Sequence, residues 1–183
     1  MPRPTTRCAL VGVVSLTLLE GCSAWTHASA GVATTFSGGR DGPEGVVDLE
    51  YGGSIGRDFP IGPSVNLHGR FGDRLVQVAP SLSLRAMARA AAAPFVGLGV
   101  RAFSFESNNG SFGFGMGSPY LDAGIYVPFT SLSSVFGSRS DAAGAGLGLV
   151  VHGQVGYDVR FTAQPNETWA SISLGLGMFS YAR

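Results

Sequence analysis

Side chains in this chain alternate between apolar and polar with a period of two, and nothing else in the sequence limits its fold as much. No segment after the N-terminus keeps a 3.6-residue period over three turns. In Ser64–Phe71, the apolar Val65, Leu67 and Phe71 fall on one face and Ser64, Asn66, His68 and Arg70 on the other. Val47, Leu49 and Tyr51 alternate with Asp48 and Glu50, and Leu82 and Leu84 with Ser81, Ser83 and Arg85. Leu121, Ala123, Ile125 and Val127 oppose Tyr120, Asp122, Gly124 and Tyr126. Further on, Leu149, Val151, Val155, Tyr157 and Val159 oppose His152, Gln154, Asp158 and Arg160. Ala170, Ile172, Leu174, Leu176 and Met178 oppose Ser171, Ser173, Gly175 and Gly177. Successive side chains of a strand point to opposite faces, so each run is a strand with two unlike sides. Weaker runs at 31–37 and 95–105 bring the expected strands to eight.

Turn residues separate these runs: Gly38 to Pro43, Gly56 to Pro63, Gly72-Asp73, Ala90 to Pro94, Asn108-Asn109-Gly110, Ser131 to Gly146 and Gln164-Pro165-Asn166. The alanines between Arg85 and Ala93 could form a short helix, which Pro94 would stop. A chain of 183 residues with no internal repeat reads as one domain.

Alternation alone does not say which face is inside. A soluble barrel or sandwich hides the apolar face and wets the polar one, whereas a transmembrane barrel reverses this. The content of the polar face separates the two. It holds Gly97, Gly99, Gly148, Gly156, Gly175 and Gly177, with Ser81, Ser83, Ser171 and Ser173, and there is no lysine in the chain. Interleaved with these small residues are Asp48, Glu50, His68, Arg70, Arg85, Arg101, Asp122, His152, Asp158 and Arg160. That set suits the interior of an eight-stranded barrel, which is just wide enough for side chains. Opposite charges can pair there, as buried charges must. Aromatics near the strand ends (Phe59, Phe71, Phe95, Phe105, Tyr120, Phe129, Phe161, Trp169, Phe179 and Tyr181) are expected to form interfacial girdles. The alternative is a lipid-anchored soluble barrel of lipocalin kind, binding an apolar ligand among Val65, Leu67, Leu149, Val151, Leu174 and Leu176.

The N-terminus supplies the address. Arg3 and Arg7 precede an apolar run from Ala9 to Leu19. That run is too short to span a bilayer as a helix but suits a secretory signal. It ends in Leu19-Glu20-Gly21-Cys22, which resembles the lipobox of bacterial lipoproteins. The resemblance implies cleavage before Cys22, a diacylglycerol thioether on its sulfur and acylation of its new amino group. Ser23, in place of an Asp, implies delivery to the outer membrane. Residues 1–21 are then the signal, 22–29 a tether containing His27, and 30–183 the barrel. Cys8 leaves with the signal, so the mature chain keeps one cysteine and forms no internal disulfide. Several acyl chains hold a protein on a membrane stably.

The mature part resembles small outer-membrane β-barrels of the eight-stranded OmpA/OmpX type. The likeness is architectural and covers most of the mature chain. It implies an antiparallel up-and-down all-β barrel in the outer membrane, with a structural or interaction role. Its partners would be membrane lipid, through Cys22 and the barrel exterior, and an envelope protein.

Chemistry is sparse. With 12 arginines against 12 acids the net charge is zero, which excludes a basic nucleic-acid-binding surface. His68 and His152, with Asp122, have the residue types of a metal site but no close ligand spacing, and they are expected to be lumen residues. A serine hydrolase would need a Ser beside His68 or His152 and an orienting acid. Neither catalysis nor a cofactor is expected. Gly113-Phe114-Gly115-Met116-Gly117 lacks the Lys-Ser/Thr ending of a phosphate loop. Two long connections, Glu106–Pro119 and Thr130–Gly146, are the expected contact loops, the first exposing Phe112, Phe114 and Met116.

Overall fold

The computed structural model describes residues 22–36, 42–55, 61–72, 75–88, 92–108, 111–131, 143–161 and 165–182. They form eight strands: β1 (Cys22–Thr35), β2 (Glu44–Ile55), β3 (Ile61–Phe71), β4 (Leu75–Met87), β5 (Ala93–Asn108), β6 (Ser111–Ser131), β7 (Ala143–Asp158) and β8 (Glu167–Ala182). Each strand pairs antiparallel with the next, and β1 also pairs with β8, from Ser23↔Tyr181 to Thr35↔Trp169. The sheet is thereby a closed up-and-down barrel, as the alternation predicts. Closure removes both sheet edges. Strands of 11 to 21 residues match or exceed the roughly 9–11 that cross a bilayer's apolar core.

Every alternating run keeps its phase. β2 and β3 are buried and exposed in strict turn over most of their lengths. The buried face is the polar one: Asp48, Glu50, His68, Arg70, Arg85, Asp122, His152 and Asp158 are all inside. Val65 and Leu67 are 51% and 44% exposed, and Leu149, Val151, Leu174 and Leu176 also face outward. An apolar ligand held within the barrel by these six residues is therefore contrary to the geometry.

The structure corrects several local expectations. Residues 22–29 are not a tether: β1 begins at Cys22, and Trp25, His27 and Ser29 point into the barrel. Arg85–Met87 continue β4, where pairing with β5 outweighs the helix preference of the alanines. The Glu106–Pro119 connection is mostly a β5–β6 hairpin, paired from Val100↔Pro119 to Asn108↔Ser111. Phe112, Phe114 and Met116 thus stand on the outer face of β6, and Phe112 is 88% exposed. Within that strand Gly117 takes a φ of +73°, which any residue with a Cβ adopts only at a cost. Residues 132–142 of the second expected contact loop, and the whole signal segment, lie outside the described residues.

The girdle is also redrawn. Phe95, Tyr120, Trp169 and Phe179 are buried in the lumen. Outward aromatics stand toward both rims: Phe36, Phe71, Phe103, Phe105, Phe112, Phe114, Tyr157 and Phe161 where β1–β2, β3–β4, β5–β6 and β7–β8 connect, and Tyr51 and the expected Phe129 toward the other. Phe59 and the side chain of Tyr181 lie outside the described residues.

Candidate functional site

The lumen is where the sequence places its charges, and the register stacks its side chains in three layers along the barrel axis, two of them charged. At the end where β1 begins and β8 finishes the layer is apolar. Trp25, Met87, Ala93, Phe95, Tyr126, Val150 and Phe179 pack together there. The Tyr126 hydroxyl donates to the Gly146 carbonyl at 2.7 Å, which satisfies its polar tip.

The upper layer, nearest the rim aromatics, is an ionic cluster. Arg70 comes from β3 and is fully buried. Its Nε donates to Glu44 Oε2 at 2.8 Å and its Nη1 to Asp158 Oδ2 at 3.0 Å, while Nη2 reaches Thr35 Oγ1 at 3.0 Å. Asp158 also accepts from Arg101 Nη1 at 2.9 Å, Gln77 Nε2 at 3.2 Å and Trp169 Nε1 at 3.2 Å. The Arg101 guanidinium lies 4.0 Å from the centre of the Trp169 ring, a cation–π contact. Arg160 pairs with Glu167. Among the described residues, Glu44, Asp158 and Glu167 thus face Arg70, Arg101 and Arg160, and the charges balance.

The middle layer does not balance. Asp48, Glu50 and Asp122 face one guanidinium, that of Arg85, and three histidines. Arg85 Nη2 donates to Glu50 Oε2 at 2.6 Å and also to Asp122. Glu50 accepts from Trp25 Nε1 at 2.9 Å. His68 Nδ1 is hydrogen-bonded to Asp48 Oδ1. His152 is held at both nitrogens: Nδ1 lies 3.1 Å from Asp122 Oδ1 and Nε2 lies 2.8 Å from Ser29 Oγ. Asp48 Oδ2 stands 3.8 Å from the same Nε2. Register explains the grouping, because Ser29 pairs with Asp48, Asp48 with His68, and His152 with Ser173.

Glycines make room for these contacts. A Cβ on Gly175 would lie 2.5 Å from Ser29 Cβ, and one on Gly177 would lie 3.0 Å from His27 Cβ. Several buried polar atoms here have no hydrogen-bond partner among the described residues, including Asp48 Oδ2, His68 Nε2, His27 Nε2 and Ser173 Oγ.

The structure therefore places Asp48, Glu50, His68, Arg85, Asp122 and His152 in one layer and Arg70, Asp158 and Arg160 in the other. His68 and His152 meet through Asp48 rather than directly. Among the described residues, no three His, Cys, Asp or Glu side chains are arranged to hold a metal ion. Phe112, Phe114 and Met116 are remote from both layers, on the opposite side of the wall. Sequence reasoning left His27 in the tether and passed over Ser29, Glu44, Gln77 and Glu167. Trp25-x-His27-x-Ser29 does carry the inward phase of β1, a signal that could have found the first two.

No protein-family profile matches the chain, and no curated protein matches it by sequence. Solved structures resemble it in fold. Neisserial surface protein A (NspA) is 11% identical, with 87% of this chain and 96% of that one covered and a TM-score of 0.48. The outer-membrane enzyme PagL is 13% identical over 84% of this chain and 97% of its own, also at 0.48. The attachment invasion locus protein Ail of Yersinia pestis is 14% identical over 88% and 99%, at 0.43.

Proposed function

We propose that this chain is an outer-membrane lipoprotein whose barrel crosses the bilayer and serves a structural or interaction role at the cell envelope. The observation that carries the reading is the inverted wall. Charged and polar side chains fill the lumen while Leu49, Val65, Leu82, Leu98, Leu121 and Leu174 stand outside, each more than two-fifths exposed. In water such a continuous apolar exterior would far exceed the patch of a few hundred Å² that soluble monomers tolerate. In lipid it is the low-energy surface. The packed lumen supports a role other than conduction, since eight strands leave no channel once side chains fill the interior. Ion pairs in the upper layer and aromatics in the lower one do fill it.

Cys22 is the proposed lipid attachment, and its position adds a constraint. It begins β1 and pairs with Ile55. Acyl chains on Cys22 would therefore enter the bilayer at the barrel rim rather than at the end of a tether. The exposed Phe112, Phe114 and Met116 are the proposed contact with lipid or with an envelope protein.

Membrane fractionation and mass spectrometry test both parts. The protein should sediment with outer membranes, require detergent for extraction, and migrate differently on gels before and after boiling. Its N-terminal peptide should carry an acylated Cys22. A detergent-independent soluble monomer would overturn the transmembrane reading. An intact signal, or an unmodified Cys22, would overturn the lipoprotein reading alone.

A further inference from the structure

The β5–β6 hairpin continues past the level at which β3 ends. Arg70 and Arg101 share the Asp158 carboxylate and so mark one height in the barrel. β3 stops at Phe71, directly after Arg70, whereas β5 runs on from Arg101 to Asn108 and β6 reaches back from Ser118 to Ser111. With 11 residues β3 matches the roughly 9–11 that cross a bilayer's apolar core, and β6, with 21, has about twice as many.

Alternation slips by one residue in both strands where this extension begins. Ala102 and Phe103 are both exposed on β5, and so are Met116 and Gly117 on β6. The ladder skips the Ala102–Gly117 position, where Gly117 takes its φ of +73°. With an unbroken phase Phe103, Phe105, Phe112, Phe114 and Met116 would lie over the lumen. The slip turns them out instead, and Ser104 and Gly115 take the buried places. The rings cluster, with centres 5.4 Å apart for Phe103 and Phe105 and 5.9 Å apart for Phe105 and Phe114. Phe161 N donates to the Phe114 carbonyl at 3.2 Å and braces the hairpin from β7's side. A left-handed glycine thus carries aromatics away from the shelter of the lumen mouth, which is unfavourable unless something else covers them.

What the face lacks identifies its cover. From Val96 to Phe105 on β5 and from Phe112 to Val127 on β6, no outward side chain is charged or carries a hydrogen-bonding group. A protein interface makes about one hydrogen bond per 100–200 Å², whereas lipid chains need none. The face is also continuous with the wall below it, through Val100, Pro119 and Leu121.

We infer that the upper β5–β6 hairpin is a lipid-binding surface, its aromatic face seated among the headgroups and upper acyl chains of the bilayer. This rests on the transmembrane reading and commits the contact face to lipid. Apolar height is then greater at β5–β6 than at β3, a mismatch met by tilting toward the taller side or by thickening the bilayer there.

Tryptophan fluorescence tests this in the full-length protein, reconstituted in phosphatidylcholine vesicles whose acyl chains carry bromine near the carbonyl end or at mid-chain. Phe105→Trp and Phe114→Trp are compared with Leu67→Trp on the wall, each shown folded by its migration on gels before boiling. The native Trp25 and Trp169 are buried in the lumen, so the wild type is the blank. Phe105→Trp and Phe114→Trp should lose emission most to the shallow bromine and be shielded from iodide in the water, and Leu67→Trp should lose most to the deep bromine. If one hairpin variant does not fold, the other decides. Quenching of the hairpin variants by iodide and not by bromine, with Leu67→Trp still quenched by bromine, would overturn the lipid surface and leave the transmembrane reading intact. Protection from both quenchers would mean a protein cover, here a second copy of the chain, and would overturn the lipid surface equally. Leu67→Trp unmoved by bromine would overturn the transmembrane reading and the lipid surface with it.

Discussion

The upper and middle layers of the lumen are built from the same residue types and differ in stoichiometry. In the upper layer three carboxylates meet three guanidinium groups, and Asp158 is shared by Arg70 and Arg101. In the middle layer three carboxylates meet Arg85 alone, and histidines take the remaining places. A redundant cluster tolerates the loss of a member. A cluster with one cation does not, because no second guanidinium stands beside its carboxylates.

Arg85→Met should accordingly be the most damaging single change in the lumen. It leaves Glu50 and Asp122 buried without their shared cation, and loss of one partner of a buried ion pair costs about 3–5 kcal/mol. Urea titration of refolding into micelles, followed by heat-modifiable migration, would measure it. The gap from wild type should narrow as the pH falls, because protonation neutralises the abandoned carboxylates. Arg70→Met should cost less, about 3 kcal/mol at the lower end of that range, because Arg101 remains on Asp158. Equal losses in the two variants would erase the distinction between the layers. Asp48→Asn removes a charge from the layer that has too many and weakens one hydrogen bond to His68. Its cost should be about 1 kcal/mol in the same titration, near that of a single hydrogen bond. Phe112→Ser with Phe114→Ser, on the outer rim, should change stability least, by about 0.5 kcal/mol or less. In a cell-surface assay that pair should still lose contact with its partner or lipid.

Much of this could be read in the sequence, because a closed barrel is a period-two object. Eight strands, and the inward placement of Asp48, His68, Arg70, Asp122 and His152, follow from the phase of each run. The first strand was hidden for a physical reason: its outward positions are Ala24, Thr26, Ala28 and Ala30, small residues that give no apolar stripe. Glycines hid the start of β6, although Phe112, Phe114 and Met116 share one phase. Phe95 shares its phase with Gly97, and Tyr120 with Asp122, which already put both aromatics inside. Burial there rather than at the interface follows from the free volume beside glycine: a Cβ on Gly99 would lie 2.3 Å from the Tyr120 ring. The layers themselves could not be read. Bringing Ser29, Asp122 and His152 together depends on the register at which β1 meets β8, and no local pattern encodes it.

The inverted wall is the central claim, and β3 offers the most direct test. In a variant with Cys8 and Cys22 replaced by Ser, a nitroxide is placed in turn at Val65, Asn66, Leu67 and His68 in a bilayer. Its collision rates with oxygen and with a water-soluble nickel chelate are then measured. Val65 and Leu67 should show high oxygen and low nickel accessibility, and Asn66 and His68 should be low in both, a two-residue oscillation set by lipid on one side and a packed lumen on the other. High nickel accessibility at Val65 and Leu67 would place the apolar face in water and contradict the account.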